Sequence, residues 1–305
     1  MRPRSLRPLL LLISLAVAAL LLLAACEDEE GDGGETPTAA ETPAETPEAT
    51  VEAIDITGVA ELEDGVLTVG SDIAYAPIEY LDDDQIPVGL DVDLMAAMAN
   101  VLGVQFEFLQ VADFGAIVED LKVGRYDVVM SAISITPARE AEIDLISYFG
   151  PVGTGILVPA GNPKGIAGPE DLCGLKVAAQ VGTYQVTQVE GEEGTPGLND
   201  TTCADNPITL TTFPDNPTAV QELALGRVDA ELADDPVAVY SAAQSEGNLV
   251  EVASTRFEAA PYGIGVRKDS PALRAVLQEA LDRIMADGTY LALLQKWEQE
   301  LFALQ

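Results

Sequence analysis

The feature that most constrains the fold is an alternation of short strand-like runs with helical patterns. Early in the chain, strand-like runs at 66–69, 105–108 and 127–130 alternate with helical patterns at 92–102 and 116–123. The same order recurs later, with strand-like runs at 155–158, 176–179, 208–210 and 230–233 and a helical pattern at 217–225. Strands that alternate with helices form βαβ units on a parallel sheet. The sequence therefore predicts an α/β fold.

The clearest helix lies near the C-terminus. We place Ser270 at its N-cap and Pro271 at its first helical position, before a one-sided apolar pattern that ends at Gly288. A second, shorter helix at 290–301 should pack against it, with Trp297 as a packing residue. Both helices are expected to contribute to a core.

The N-terminus is similar to a bacterial lipoprotein signal. Arginines at positions 2, 4 and 7 precede an apolar run at 9–23, which is shorter than the roughly 20 residues of a membrane-spanning helix. The run ends in Leu-Ala-Ala-Cys at 23–26, which resembles a lipobox and implies lipidation of Cys26. We expect a signal peptide over 1–25 and a lipid-anchored, extracytoplasmic protein, with an uncleaved anchor as the alternative.

The segment that follows, residues 26–52, is rich in Glu, Thr, Pro and Ala. Such a composition offers no apolar surface to bury, repels itself and holds its prolines extended, so it predicts a disordered acidic stalk. About 250 residues remain after it, enough for one large core or two smaller ones.

Charge and cysteine content narrow the classes of partner. The formal net charge of −36 argues against nucleic acid or anionic lipid as partners.

With Cys26 lipidated, Cys173 and Cys203 can pair in an oxidising compartment, and a disulfide closing about 30 residues would stabilise the fold by roughly 3–4 kcal/mol. The chain has no histidine. Two thiols do not complete a zinc site, so we expect no metal and no cofactor.

The most informative functional segment is 131–139, where an apolar strand gives way to hydroxyl residues and then to the start of a helix that carries Arg139. Hydroxyls, free backbone N–H groups and a guanidinium fork together suit a carboxylate ligand. The alternative is that Ser134 and Thr136 cap a helix, while Arg139 pairs on a solvated face with Glu140, Glu142 or Asp144.

The sequence Gly-Leu-Asp-Val-Asp-Leu at 89–94, followed by the segment at Ser131, resembles the family 3 extracellular solute-binding proteins, which bind polar amino acids for bacterial ABC importers. The resemblance covers about 65–301. It implies a type II periplasmic-binding-protein-like fold, in which two α/β lobes are joined by a two-strand hinge with the ligand in the cleft.

Carried over to this chain, the resemblance places lobe 1 at 53–152 and 255–305 and lobe 2 at 153–254. Locally the sequence agrees, because glycine and proline interrupt the pattern at 150–153 and again at 259–262. We expect the strand pattern to break at both places.

The resemblance also implies a role for individual residues. Arg139 and Ser134 on lobe 1 would bind the ligand's α-carboxylate, and Thr183 on lobe 2 would contact the same carboxylate. Asp234 follows a strand end and would bind the α-ammonium, with its neighbour Asp235 as an alternative.

The ligand side chain would lie beside Asp72, between the rings of Tyr75 and Phe114. The remaining pocket residues implied by the resemblance are Ser131, the backbone of Ala132 and Gln180. Because members that bind glutamine also carry an aspartate at this position, Asp72 does not separate cationic from neutral polar ligands.

The resemblance thus implies a monomeric, non-enzymatic receptor that captures a polar or cationic L-amino acid and delivers it to a membrane permease. One alternative is an enzyme on the same fold, similar to the cyclohexadienyl dehydratases, which would need an acid with a raised pKa in the cleft. The other is a ligand-sensing receptor domain that signals through a separate partner.

Overall fold

The computed structural model of the protein describes residues 53–251 and 257–304. The predicted signal peptide, the lipidation site Cys26 and the stalk lie outside the described residues, and so does the predicted lobe boundary at 254/255. Within the described ranges, no helix is both long and apolar enough to cross a bilayer.

Strands and helices alternate as the sequence predicts. The strands are β1 (Val66–Ser71), β2 (Ala74–Tyr75), β3 (Glu79–Leu81), β4 (Pro87–Val88), β5 (Gln105–Gln110), β6 (Val128–Val129), β7 (Asp144–Pro159), β8 (Lys176–Gln180), β9 (Thr209–Phe213), β10 (Ala230–Asp234), β11 (Leu249–Glu251) and β12 (Phe257–Val266). The α-helices are α1 (Leu90–Leu102), α2 (Ile117–Lys122), α3 (Pro137–Glu142), α4 (Tyr184–Glu190), α5 (Asn216–Ala224), α6 (Asp235–Gln244), α7 (Pro271–Ala286) and α8 (Thr289–Lys296).

In the part of the chain that the structure describes, a nine-stranded sheet has the order β5-β1-β6-β12-β7-β10-β8-β9, with β11 paired to β7 off this path. β1 runs parallel to β5 and β6, and β8 runs parallel to β9 and β10. We call β5, β1 and β6 with α1–α3 the β1 end, and β10, β8 and β9 with α4–α6 the β8 end. The α/β class is confirmed, whereas the lobe boundaries stay a prediction.

Each end has its own buried apolar cluster. At the β1 end, one face of α1 buries Leu94 and Met98 against α7, whose own buried face includes Leu277 and Leu281. A separate cluster at the β8 end lies between β8, β10 and the C-terminal part of β7. Trp297 packs on the first cluster, as predicted. The first cluster also includes Ala233 and Val237 from the β8 end, so it joins the two ends as well as filling the β1 end.

The middle of the sheet departs from the sequence prediction. The pattern does not break at 150–153 or 259–262, because β7 and β12 run through these segments as long antiparallel partners. Their register shifts between Phe257 and Gly263, in irregular pairing that accommodates glycine and proline without ending the strand. The two strands form the continuous connection between the β1 end and the β8 end.

Two further expectations concern the C-terminal helix and the cysteines. Ser270 is at the N-cap position of α7 and Pro271 begins the helix, as predicted, but the Ser270 hydroxyl donates to Glu61 rather than bonding to the helix backbone. The following helix, α8, ends at Lys296 rather than at residue 301. The predicted disulfide is confirmed, with the sulfurs of Cys173 and Cys203 2.01 Å apart.

Candidate functional site

A small pocket, which we call the cavity, lies between the β1 end and the β8 end. Its lining consists of Asp72, Tyr75, Glu79, Phe114, Ser131, Ala132, Ser134, Arg139, Gln180, Thr183, Tyr184, Gln185 and Asp234. All ten residues predicted to bind the ligand, which fall within the described ranges, are in this set. Their roles toward a ligand stay predictions.

Arg139 enters the cavity from the first turn of α3. Its backbone N–H donates to the Thr136 hydroxyl (3.3 Å), so Thr136 caps this helix. The guanidinium donates to the carbonyl oxygens of Ser134 (2.8 Å) and Gly182 (3.1 Å). Two acids proposed as alternative partners, Glu142 and Asp144, pair with Lys122 and Arg274 instead. A guanidinium has five N–H donors, so Arg139 has further donors for a carboxylate.

Asp234 faces the same cavity from the last position of β10. Its Oδ1 accepts from Gln185 Nε2 (2.8 Å) and its Oδ2 accepts from the Tyr262 hydroxyl (2.7 Å). Of the two neighbouring acids, Asp234 lines the cavity, while Asp235 begins α6. The carboxylate oxygens retain lone pairs for a cationic group.

The two groups carry opposite charges at neutral pH. Burial lowers the pKa of the Arg139 guanidinium to about 10, which keeps it protonated. Burial also raises the pKa of Asp234 to about 6, against the opposing effects of the hydrogen bonds from Tyr262 and Gln185 and the Arg139 charge. The cavity therefore offers a cation on one wall and, above pH 6, an anion on the other.

Asp72 also lines the cavity, directly after the end of β1. Its oxygens accept from Gln110 Nε2 (3.0 Å) and Gln180 Nε2 (2.5 Å), and burial raises its pKa. The ring of Phe114 lies 5.9 Å from the Arg139 guanidinium carbon, within cation–π range. The Phe114 ring therefore also supports the carboxylate-binding candidate Arg139, beyond its predicted contact with a ligand side chain.

The loop after β6 is held by buried acids. The Ser131 hydroxyl donates to Glu79 Oε1 (2.9 Å) and accepts from the Asp72 backbone N–H (3.0 Å). Ala132 has a left-handed backbone (φ 46°), and its N–H donates to Asp91 Oδ2 (3.1 Å). These bonds fix the loop in a conformation that a non-glycine residue rarely adopts.

The loop after β8 approaches the β1 end closely at Gly182. A Cβ at Gly182 would lie 2.3 Å from the Cα of Gly115, and its φ is +75°. Next in the chain, the Thr183 hydroxyl donates to the Gln180 carbonyl (2.8 Å). Only glycine permits this close approach between the two loops.

Sequence analysis missed three lining residues, Glu79, Tyr184 and Gln185. Tyr184 and Gln185 begin α4 directly after the predicted contact Thr183, so the first turn of that helix could have been expected to face the ligand. Glu79 lies on the small sheet formed by β2, β3 and β4, and no local pattern marked it as a cavity residue.

Residues 67–300 match the model of a protein family described as "Bacterial extracellular solute-binding proteins, family 3". The chain belongs to this family. The Arginine-binding protein ArgT of Corynebacterium glutamicum is 31% identical to this chain over 286 residues. The aligned region covers 92% of this chain and 88% of ArgT. The L-cystine-binding protein TcyJ of Escherichia coli is 28% identical, over 77% of this chain and 83% of its own length.

A solved structure of an ancestral arginine-binding protein bound to arginine matches this family member with a TM-score of 0.69 at 34% identity. The match covers 76% of this chain and 98% of that chain. It confirms the periplasmic-binding-protein-like fold. Since these relatives are binding proteins, the prediction of a non-enzymatic protein is also confirmed.

Proposed function

We propose that this chain is the substrate-binding protein of an amino-acid ABC importer and captures a polar or cationic L-amino acid between its two lobes. The observation that carries the proposal is the placement of Arg139 and Asp234 on opposite walls of one cavity. A zwitterion presents a carboxylate and an ammonium group only a few ångströms apart. The guanidinium would bind the first and the Asp234 carboxylate the second.

Both groups are needed for closure. A ligand shifts a hinge equilibrium only by its differential affinity for the closed state, so contacts from a single lobe would not close the cleft. Arg139 and Ser134 come from the β1 end, whereas Thr183 and Asp234 come from the β8 end. The ligand would therefore complete an interface that neither end forms with it alone.

The chemistry of the cavity lining suits a cationic side chain. Asp72 and Tyr75 both belong to the lining, and a carboxylate together with aromatic rings attracts cations. Two of the relatives described above are named or titled for arginine. We infer that arginine or a similar cation is preferred over neutral amino acids.

The same proposal includes the protein's surroundings. The lipobox-like sequence at 23–26 would anchor the monomeric receptor outside the cytoplasm through a lipid on Cys26, from where it delivers its ligand to a permease. Growth of cells with a labelled fatty acid should mark the wild-type protein. The Cys26→Ala variant should carry no label.

Titration calorimetry with the twenty L-amino acids tests the ligand class. We expect binding by one or a few polar or cationic members, measured on the protein lacking residues 1–26. If a folded preparation, verified by its thermal transition, binds none of them, the proposed function is wrong.

A further inference from the structure

Glu79 is a buried carboxyl group in the wall of the cavity that neither the carboxylate site nor the ammonium site uses. Its side chain is 0% exposed and belongs to the cavity lining. One oxygen, Oε1, accepts from the Ser131 hydroxyl (2.9 Å). The other, Oε2, is buried and has no hydrogen-bond partner among the described residues. A buried acceptor without a partner is costly, which suggests that a ligand group satisfies it.

Asp72 is the acid expected to bind a cationic side chain, and part of its hydrogen-bond accepting capacity is already used within the protein. Each of its oxygens accepts a bond from a glutamine amide, Gln110 on one side and Gln180 on the other. A guanidinium has five N–H donors and an ammonium has three. Either number exceeds the hydrogen bonds that the remaining lone pairs of Asp72 can accept. Glu79 Oε2 is a further acceptor in the same cavity, and Ser131 joins the two acids because it also accepts from the Asp72 N–H.

We propose that Glu79 is a specificity-determining residue, whose Oε2 accepts an N–H from the cationic side chain of the bound amino acid. The inference rests on the proposed function, since it deepens the ligand class of that same cavity. It assigns discrimination between cationic and neutral side chains to Glu79 together with Asp72, rather than to Asp72 alone.

The charged surroundings of Glu79 support this assignment. Burial disfavours the ionised form of Glu79 most strongly, and the charges of Asp91 on α1, Asp72 just after β1 and Asp234 on β10 act in the same direction. The pKa of Glu79 is therefore raised. The buried Tyr148 hydroxyl, which donates to the neighbouring Asp91, is uncharged and so does not offset these negative charges. A cationic ligand would reverse this balance, so that Glu79 releases its proton to solvent on binding.

The test compares arginine with citrulline, its neutral isostere, by titration calorimetry of the purified protein and of Glu79→Gln at pH 7. The glutamine keeps an acceptor for Ser131 but removes the carboxylate. We expect arginine affinity to fall at least about tenfold while citrulline affinity stays within about threefold.

Glu231→Gln is the matched control. Glu231 is also 0% exposed, with one oxygen bonded to Asn216 and the other without a partner among the described residues, but it does not line the cavity. Its variant should keep the wild-type affinity for arginine. Equal arginine affinity in the wild type, Glu79→Gln and Glu231→Gln would overturn the inference and leave the proposed function intact.

A measurement on the wild type covers the case in which Glu79→Gln does not fold. Arginine binding measured in phosphate and in Tris, buffers of different ionisation enthalpy, should reveal a larger proton release than citrulline binding. Equal proton release with both ligands contradicts the role of Glu79, as does binding of neutral amino acids without binding of arginine. Binding of no amino acid at all contradicts the proposed function itself.

Discussion

The hydroxyl oxygen of Tyr75 lies 3.0 Å from the backbone nitrogen of Asp234 and accepts its hydrogen bond. Tyr75 belongs to β2, near the β1 end, and Asp234 ends β10, so this bond crosses the cavity. Gln180 Nε2 to Asp72 Oδ2 (2.5 Å) and the Arg139 guanidinium to the Gly182 carbonyl (3.1 Å) cross it as well. Groups that line the cavity therefore also join its two walls.

Replacement of Arg139 by methionine should remove the carboxylate contact. We expect amino-acid affinity to fall at least about 100-fold, because a charge-assisted bidentate contact is lost in a poorly solvated cavity. The unfolding temperature without ligand should change by no more than about 2–4 °C. Arg227→Met, which removes an exposed pair with Glu222, is the control for calorimetry. Retained affinity in Arg139→Met would exclude the assigned role.

The adjacent acids Asp234 and Asp235 can be separated by paired variants. Asp234→Asn keeps the size of the side chain but loses the charge that would bind the α-ammonium, so affinity should fall at least about 100-fold. Asp235→Asn should stay within about threefold of the wild type. Calorimetry on both variants decides between them, and a loss confined to Asp235→Asn would transfer the ammonium site to that residue.

The contact at Gly182 predicts a defect in closure. In Gly182→Ala, the new Cβ would collide with the Cα of Gly115, so affinity should fall at least about tenfold. Gly161→Ala is the matched control, since Gly161 has a similar φ of +76° but nothing within 4 Å of the added Cβ. Both variants should lose similar stability from backbone strain, yet only the first should lose affinity. Equal affinities would show that Gly182 does not limit closure.

The raised pKa of Asp234 predicts how affinity depends on pH. Binding of an ammonium group requires the ionised carboxylate, so affinity should be nearly constant above pH 7 and fall by up to about tenfold per unit below pH 6. Without ligand, the contribution to stability has the opposite sign. A carboxyl whose folded pKa is raised stabilises the fold at low pH and loses that contribution as pH rises through about 6. Affinity that increases from pH 7 to pH 5 would contradict this assignment.

The sequence was sufficient for the α/β class, because strand-like runs alternate with helical patterns. Arg139 and Asp234 were predicted from the resemblance to the family, since the local pattern alone also allowed a solvated helix face for Arg139 and a solvated turn for Asp234. Glu79 could not be predicted, since the Ser131 hydroxyl that donates to it lies 52 positions away in the sequence.

The long strands show a second limit of local patterns. The glycine and proline at positions 150 and 151 indicated a break, but the antiparallel pairing of β7 with β12 carries the strand through them. Pairing between segments about a hundred residues apart decided the outcome, and a local pattern does not contain that information. The same reason explains Ser270, whose hydroxyl binds Glu61 from the other end of the chain rather than its own helix.

A crystal structure of the protein with L-arginine tests the central claim most directly. The account predicts the ligand's α-carboxylate within hydrogen-bonding distance of the Arg139 guanidinium and its α-ammonium within hydrogen-bonding distance of the Asp234 carboxylate. Arginine bound outside this cavity, or bound inside it with neither of these two contacts, would contradict the account.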